Sequence, residues 1–193
     1  MTAAKTRTGG AWVDSTKVAK VRVGGVWVDY GPSGGGTVTE RFSYPTPPGL
    51  PNNDEAQRLN LGVLWSASAS GSWIGNQVYT PSSVMLPDMT ALAFTGSTEL
   101  ARKTATSPSV GQLVDILFDT PVAITASVTY QAAYSAVRYA ATAGGSMTWP
   151  YTTAHMATGS GTPSRFAAGP VGTVPTNASA AGYHVTPIVQ FSA

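Results

Sequence analysis

No cysteine occurs among the 193 residues, which excludes a disulfide framework and any thiolate metal site. Charge is scarce: 10% of residues are Asp, Glu, Lys or Arg, against about 25% in an average soluble domain. That scarcity excludes a polyelectrolyte-like disordered chain and a helix-rich surface laced with Glu–Lys pairs. Long apolar runs are missing as well, and nothing approaches the ~18–20 consecutive apolar residues of a membrane span. The first 25 residues hold five Lys/Arg and no apolar run of useful length, so no secretory leader is expected. Of the two histidines, His155 and His184, neither lies in a His-Glu-x-x-His or similar ligand spacing. No metal and no cofactor is expected.

What is abundant points one way. Gly (21) and Pro (14), together with many Thr, Ser, Val and Ala, suit short β-strands joined by turns. The first 30 residues contain a duplication. Lys5-Thr-Arg7-Thr-Gly9-Gly10-Ala-Trp12-Val13-Asp14 recurs fifteen residues later as Lys20-Val-Arg22-Val-Gly24-Gly25-Val-Trp27-Val28-Asp29, with seven of ten positions identical. Each copy reads as strand, Gly-Gly turn, strand, because glycine accepts the positive φ of a two-residue hairpin turn. A lone hairpin is marginal in water, so residues 1–31 are expected to pack on something else as a docking arm. Trp12 and Trp27 are its candidate apolar anchors; Lys5, Arg7, Lys20 and Arg22 are its candidate partners for acidic groups. This stretch is also the basic part. Residues 1–30 hold five basic and two acidic groups, net +3, while the remainder holds six and seven, net −1. The total of +2 is too small to argue for nucleic acid.

Residues 32–58 read as a linker, with Gly31-Pro-Ser-Gly-Gly-Gly36 at one end, a prolyl stretch from Tyr44 to Pro51 at the other, and a short strand signal at 37–43 between. Strand signals then recur at Leu59–Trp65, 72–80, Met89–Phe94, 99–104, 112–118, 128–134, 137–141 and 183–191. The last contains Pro187, which suits an edge strand or a bulge. The fold expected is all-β: a short hairpin arm (1–31), a Gly/Pro-rich linker (32–58) and an antiparallel, two-sheet, jelly-roll-like β-sandwich (59–193). Residues 142–182 carry few strand signals, and a loop that long is expected to be functional or to wrap a neighbour.

Catalytic constellations are hard to assemble, and no catalytic residue is assigned. The nine acids offer no convincing pair across a sugar. Asp115 reads as an inward acid on a strong strand. His184 reads as a packed or edge histidine, and His155 as a loop residue. Trp65 and Trp73 lie in strand signals and read as core. Trp149 and Tyr151, in a Gly/Thr/Ser-rich stretch, are the candidate exposed aromatic pair for a sugar face.

Two resemblances add to this reading. Leu61-Gly62-Val63, Gly71–Tyr79, Phe118–Tyr130 and Tyr183–Phe191, in that order, resemble a family of uncharacterised β-sandwich modules on bacterial surface and carbohydrate-active proteins. Gly9-Gly10-Ala11-Trp12-Val13 and Val21–Val28 resemble the tandem Gly-Gly-x-Trp-Val segments of minor tail proteins from phages infecting actinobacteria. The second resemblance implies a non-enzymatic virion protein, assembled in the host cytoplasm. It implies docking to other virion proteins through residues 1–31, a homo-oligomer (a trimer as first guess) and a sandwich contacting host-surface glycan, without nucleic acid or membrane. A capsid decoration or head-fibre protein is the first alternative; a carbohydrate-binding module or cell-wall glycan hydrolase is the next.

Overall fold

The computed structural model describes residues 5–8, 11–14, 19–23, 26–30, 36–45, 52–81, 88–144 and 146–192, with side chains from residue 36 onward except at 52–56. Every regular element among these is a strand. No helix among them is long and apolar enough to cross a membrane. The chain forms two compact units, Met1–Thr37 with Ser192–Ala193, and Val38–Phe191.

The first unit holds two antiparallel hairpins. Strand β1 (Lys5–Thr8) pairs with β2 (Ala11–Asp14), and β3 (Ala19–Val23) with β4 (Val26–Tyr30). Their registers repeat: Lys5 faces Asp14 and Arg7 faces Trp12, as Lys20 faces Asp29 and Arg22 faces Trp27. Thr6 and Thr8 of the first copy become Val21 and Val23 in the second, which keeps β-branched residues at both positions. The Gly-Gly pairs assigned to the turns lie outside the described residues.

The second unit is an all-β sandwich of two antiparallel sheets. One has the order β10 (Leu113–Ile124), β7 (Gly71–Tyr79), β16 (Val185–Ser192), β5 (Thr37–Glu40). The other runs β14 (Asn177–Ala178), β13 (Ser164–Ala168), β6 (Asn52–Ala67), β11 (Thr129–Thr142), β8 (Met89–Thr95), β9 (Thr98–Ala105). Strands β12 (Met156–Thr158) and β15 (Gly182–Tyr183) add to β6 and β11. The chain crosses repeatedly between the sheets, so most sheet neighbours are distant in sequence.

Trp65 of one sheet meets Trp73 of the other edge-on at 5.1 Å, with Tyr130 and Phe118 against them. Both tryptophans are fully buried, as their strand context suggests. A polar staple crosses the same core. The Asn76 side-chain amide on β7 donates to the carbonyls of Leu92 and Ala133 in the opposite sheet, each at 2.9 Å, while Trp73 Nε1 donates to Asn76 Oδ1 at 3.0 Å. Such a buried group costs little only when fully bonded.

Four expectations change. Residues 38–44 belong to the sandwich instead of a linker: β5 extends the smaller sheet, Glu40 and Phe42 are buried, and Arg41 and Ser43 are exposed. Strand β6 already begins at Asn52, because Asn52, Asn53 and Asp54 pair with the end of β11. Asp115 points outward, at 39% side-chain exposure, because Ile116 and Phe118 take the inward positions. Pro187 lies in an interior strand, beside a register shift between Ile188 and Val189; the bulge holds and the edge does not.

Residues 142–182 wrap their own domain. Strands β12 and β13 pair with β6, and Val171 and Val174 cover Leu92 and Phe94 on the outer face of the larger sheet. Two buried amides hold that strap. Asn60 donates to Pro170 O at 3.0 Å and accepts from Gly172 N at 3.2 Å, and Gln131 donates to Pro175 O at 2.9 Å.

Candidate binding site

The segment following β5 places side chains on two sides of itself by strand alternation. Glu40, Phe42 and Tyr44 turn toward the domain, and Arg41 and Ser43 toward solvent. Tyr44 meets Tyr151 at 4.9 Å and Trp149 at 5.8 Å, both edge-on, and Trp149 meets Tyr151 at 5.1 Å. Trp149 and Tyr151 are thus half-buried members of an aromatic triad whose third ring comes from a segment that reads as linker. The Trp149–Pro150 bond is cis.

Glu40 accepts the amide N–H of His155 at 3.0 Å, pairs with His155 Nδ1 at 2.6 Å and accepts the Thr153 hydroxyl. Burial pushes its carboxyl up, but the bonds from Thr153 and His155 outweigh burial and leave it below the usual carboxylate range. The His155 ring stacks against Phe191 with centroids 4.8 Å apart. It forms one wall of an open basin of about 510 Å³ that also takes in Ser66, Ser68, Ser127 and Thr152.

A carboxylate-backed imidazole can orient a proton. Ser68 donates its hydroxyl to the His155 carbonyl at 3.4 Å, not to the ring. Glu40, held ionised by its donors, is a poor general acid. Asp115 and Asp119 are engaged elsewhere, with Arg41 and Gln77 and with Lys103 respectively. Among the described residues no group of three His, Asp or Glu could hold a metal ion.

Sequence reasoning missed Glu40. Its hydroxyl and imidazole partners lie 113 and 115 residues away, and the only local signal is its alternation with Phe42 and Tyr44. For the arm, the structure gives the strand positions of Lys5, Arg7, Trp12, Lys20, Arg22 and Trp27; their side chains lie outside the described set.

Residues 45–185 match the family described as a domain of unknown function, DUF4082. The chain belongs to this family. No curated protein matches the sequence. The match covers most of the sandwich, but its ends fall inside the fold. Strand β5, Glu40 to Tyr44 and most of β16 extend beyond the DUF4082 span, so one wall of the aromatic triad and the acid behind His155 are supplied from outside it.

Proposed function

We propose that the chain is a non-enzymatic structural protein of a phage virion, a minor tail or tail-tip component. It docks to other virion proteins through residues 1–31 and displays the DUF4082 sandwich to host-surface glycan. The observation that carries the docking half is the repeated register of the two hairpins, in a compact unit apart from the sandwich. Among the described residues each hairpin pairs only within itself, and two-stranded ribbons of this size need an external surface to be stable. Repeating the same Arg–Trp and Lys–Asp oppositions twice offers two equivalent contacts, which suits a partner arranged with symmetry. The display half draws on the triad of Tyr44, Trp149 and Tyr151 and on the hydroxyl-lined basin beside it, since aromatic and hydroxyl groups together suit sugar surfaces.

Light scattering on the full chain and on a chain truncated to start at Val38 tests docking. The full chain is expected to self-associate, with a trimer as the first candidate, and the truncated chain to be a monomer. Trp12→Ala together with Trp27→Ala should lower the full chain's association constant about tenfold or more, as for the loss of paired aromatic anchors. If both chains are monomers, the arm is no assembly element. The location is tested by antibody detection in isolated tails and in tail-less heads; detection in heads alone would move the protein to capsid decoration.

A further inference from the structure

We propose that the sandwich carries a second, smaller subsite, between residues 41–44 and strands β7 and β16, that takes one neutral polyhydroxylated ring, a monosaccharide unit of a glycan. It rests on the display half of the function proposed above and not on the docking half. The cavity measures about 170 Å³. That is below the ~300–1,000 Å³ of sites for drug-sized ligands and equals about six waters at ~30 Å³ each. A single small ring fills it; an extended ligand does not.

The chemistry of its lining selects the class. Two of the lining residues bond the neighbouring Asp115 carboxylate, which accepts from Gln77 Nε2 at 2.7 Å and from Arg41 Nη1 at 3.1 Å. The lining's cation, Arg41, is thereby already met by an anion, which weakens its draw on an anionic ligand. Arg41 retains its Nε and Nη2 donors, and Gln77 its amide oxygen, with no bond among the described residues. They offer a donor fork and an acceptor close together, the planar polar pattern that reads vicinal hydroxyls. Leu113, half exposed, and the Tyr44 ring supply apolar walls for C–H faces.

His184 lines the same cavity and is 2% exposed. Its Nε2 bonds the Thr142 hydroxyl at 2.6 Å, and its Nδ1 is buried with no hydrogen-bond partner among the described residues. Burial alone lowers its pKa to about 4, so at neutral pH the ring is uncharged and does not recruit an anion. The neutral ring therefore adds an uncharged wall to the cavity. Thr186, by contrast, is already satisfied, accepting from Phe42 N at 2.8 Å and donating to Pro187 O at 3.3 Å.

Saturation-transfer NMR titration of the full chain with methyl glycosides of glucose, galactose, mannose and arabinofuranose, one at a time, tests the subsite. At least one is expected to saturate, with a Kd on the order of millimolar as befits a ligand this small. Gln77→Leu and Arg41→Ala, both at the cavity rim, should each weaken it about tenfold or more, the loss of one good hydrogen bond, without moving the melting temperature. Inorganic phosphate should not displace the glycoside. Saturable binding that both variants leave unchanged removes the subsite and leaves glycan display standing. Binding of none of the four removes the subsite, whereas glycan display, which draws on the aromatic triad and the basin, stands or falls by the binding of an oligosaccharide. Displacement by phosphate makes the cavity an anion site and overturns the proposal. The mass of the full chain, read separately, bears on the arm alone.

Discussion

Burial holds His184 neutral down to about pH 4, whereas an imidazole in the unfolded chain takes its proton near pH ~6.5. Between those values the unfolded state binds more protons than the folded state, so stability rises with pH across the window and is lost as pH falls through it. The full span corresponds to about 3 kcal/mol. Urea midpoints measured at intervals across that window should fall steadily, and His184→Phe should flatten the slope. Glu40 acts lower. Its carboxyl sits below the ordinary value, so its stabilisation is intact above that value and lost only as pH falls further. Glu40→Gln should therefore change the acid limb and leave the His184 window in place. The packed character of His184 is legible from the apolar strand around it, Tyr183 to Phe191. Its hydrogen-bond partner Thr142, 42 residues earlier, is not, because no local pattern records a contact between the end of β11 and the residue that joins β15 to β16.

At the scale of elements, β7 carries the tightest constraints, since it lies between β10 and β16 and faces the opposite sheet through Asn76. A Cβ on Gly75 would stand 2.5 Å from the Ile116 carbonyl oxygen and 2.8 Å from the Leu117 Cα. Both are backbone atoms of the paired strand and cannot rotate away. Gly75→Ala should cost about 2–3 kcal/mol, at the upper end of overpacking losses, read as a fall in the urea midpoint. Asn76→Leu keeps the branched shape but removes the staple between sheets, leaves the Leu92 and Ala133 carbonyls without this donor and takes away the Trp73 indole's second acceptor. A loss of about 3 kcal/mol is expected. The rim substitution Gln77→Leu, one residue on and pointing away from the core, should stay within about 0.5 kcal/mol. The long strands were legible from alternation. The short ones, β12 to β15, were not, because Met156-Ala-Thr or Asn177-Ala has no period to detect; they are strands because β6, β11 and β13 offer them open backbone. The polar start of β6, Asn52–Arg58, failed for the same reason.

For the whole molecule, the sequence places the sandwich boundary at Leu59 and the fold places it at Val38. The two positions make opposite predictions. A chain starting at Val38 keeps Glu40, Phe42 and every residue of the main core. It should melt cooperatively, with a near-ultraviolet signal from Trp65 and Trp73 like that of the full chain. A chain starting at Leu59 loses buried Phe42, for which truncation of a large aromatic costs about 3–5 kcal/mol. It also loses the Glu40 anchor of the 153–156 turn and the Tyr44 ring under Trp149 and Tyr151. Strand β16 is left without β5, and Arg138, Tyr139 and Ala140 of β11 without their partners on β6. Against a typical total of about 5–15 kcal/mol, these losses together suffice to abolish a cooperative melt. The error in reading this boundary has a physical origin. Gly and Pro flank residues 37–43 on both sides and mark the segment as tether, whereas its alternating Glu40, Phe42 and Tyr44 face partners that lie more than a hundred residues further along the chain. Calorimetry on the two truncated chains separates the readings. A cooperative transition in both would mean that β5 and its extension merely decorate a sandwich complete without them, and its absence in both would mean that residues 1–37 contribute to the stability of the domain that follows.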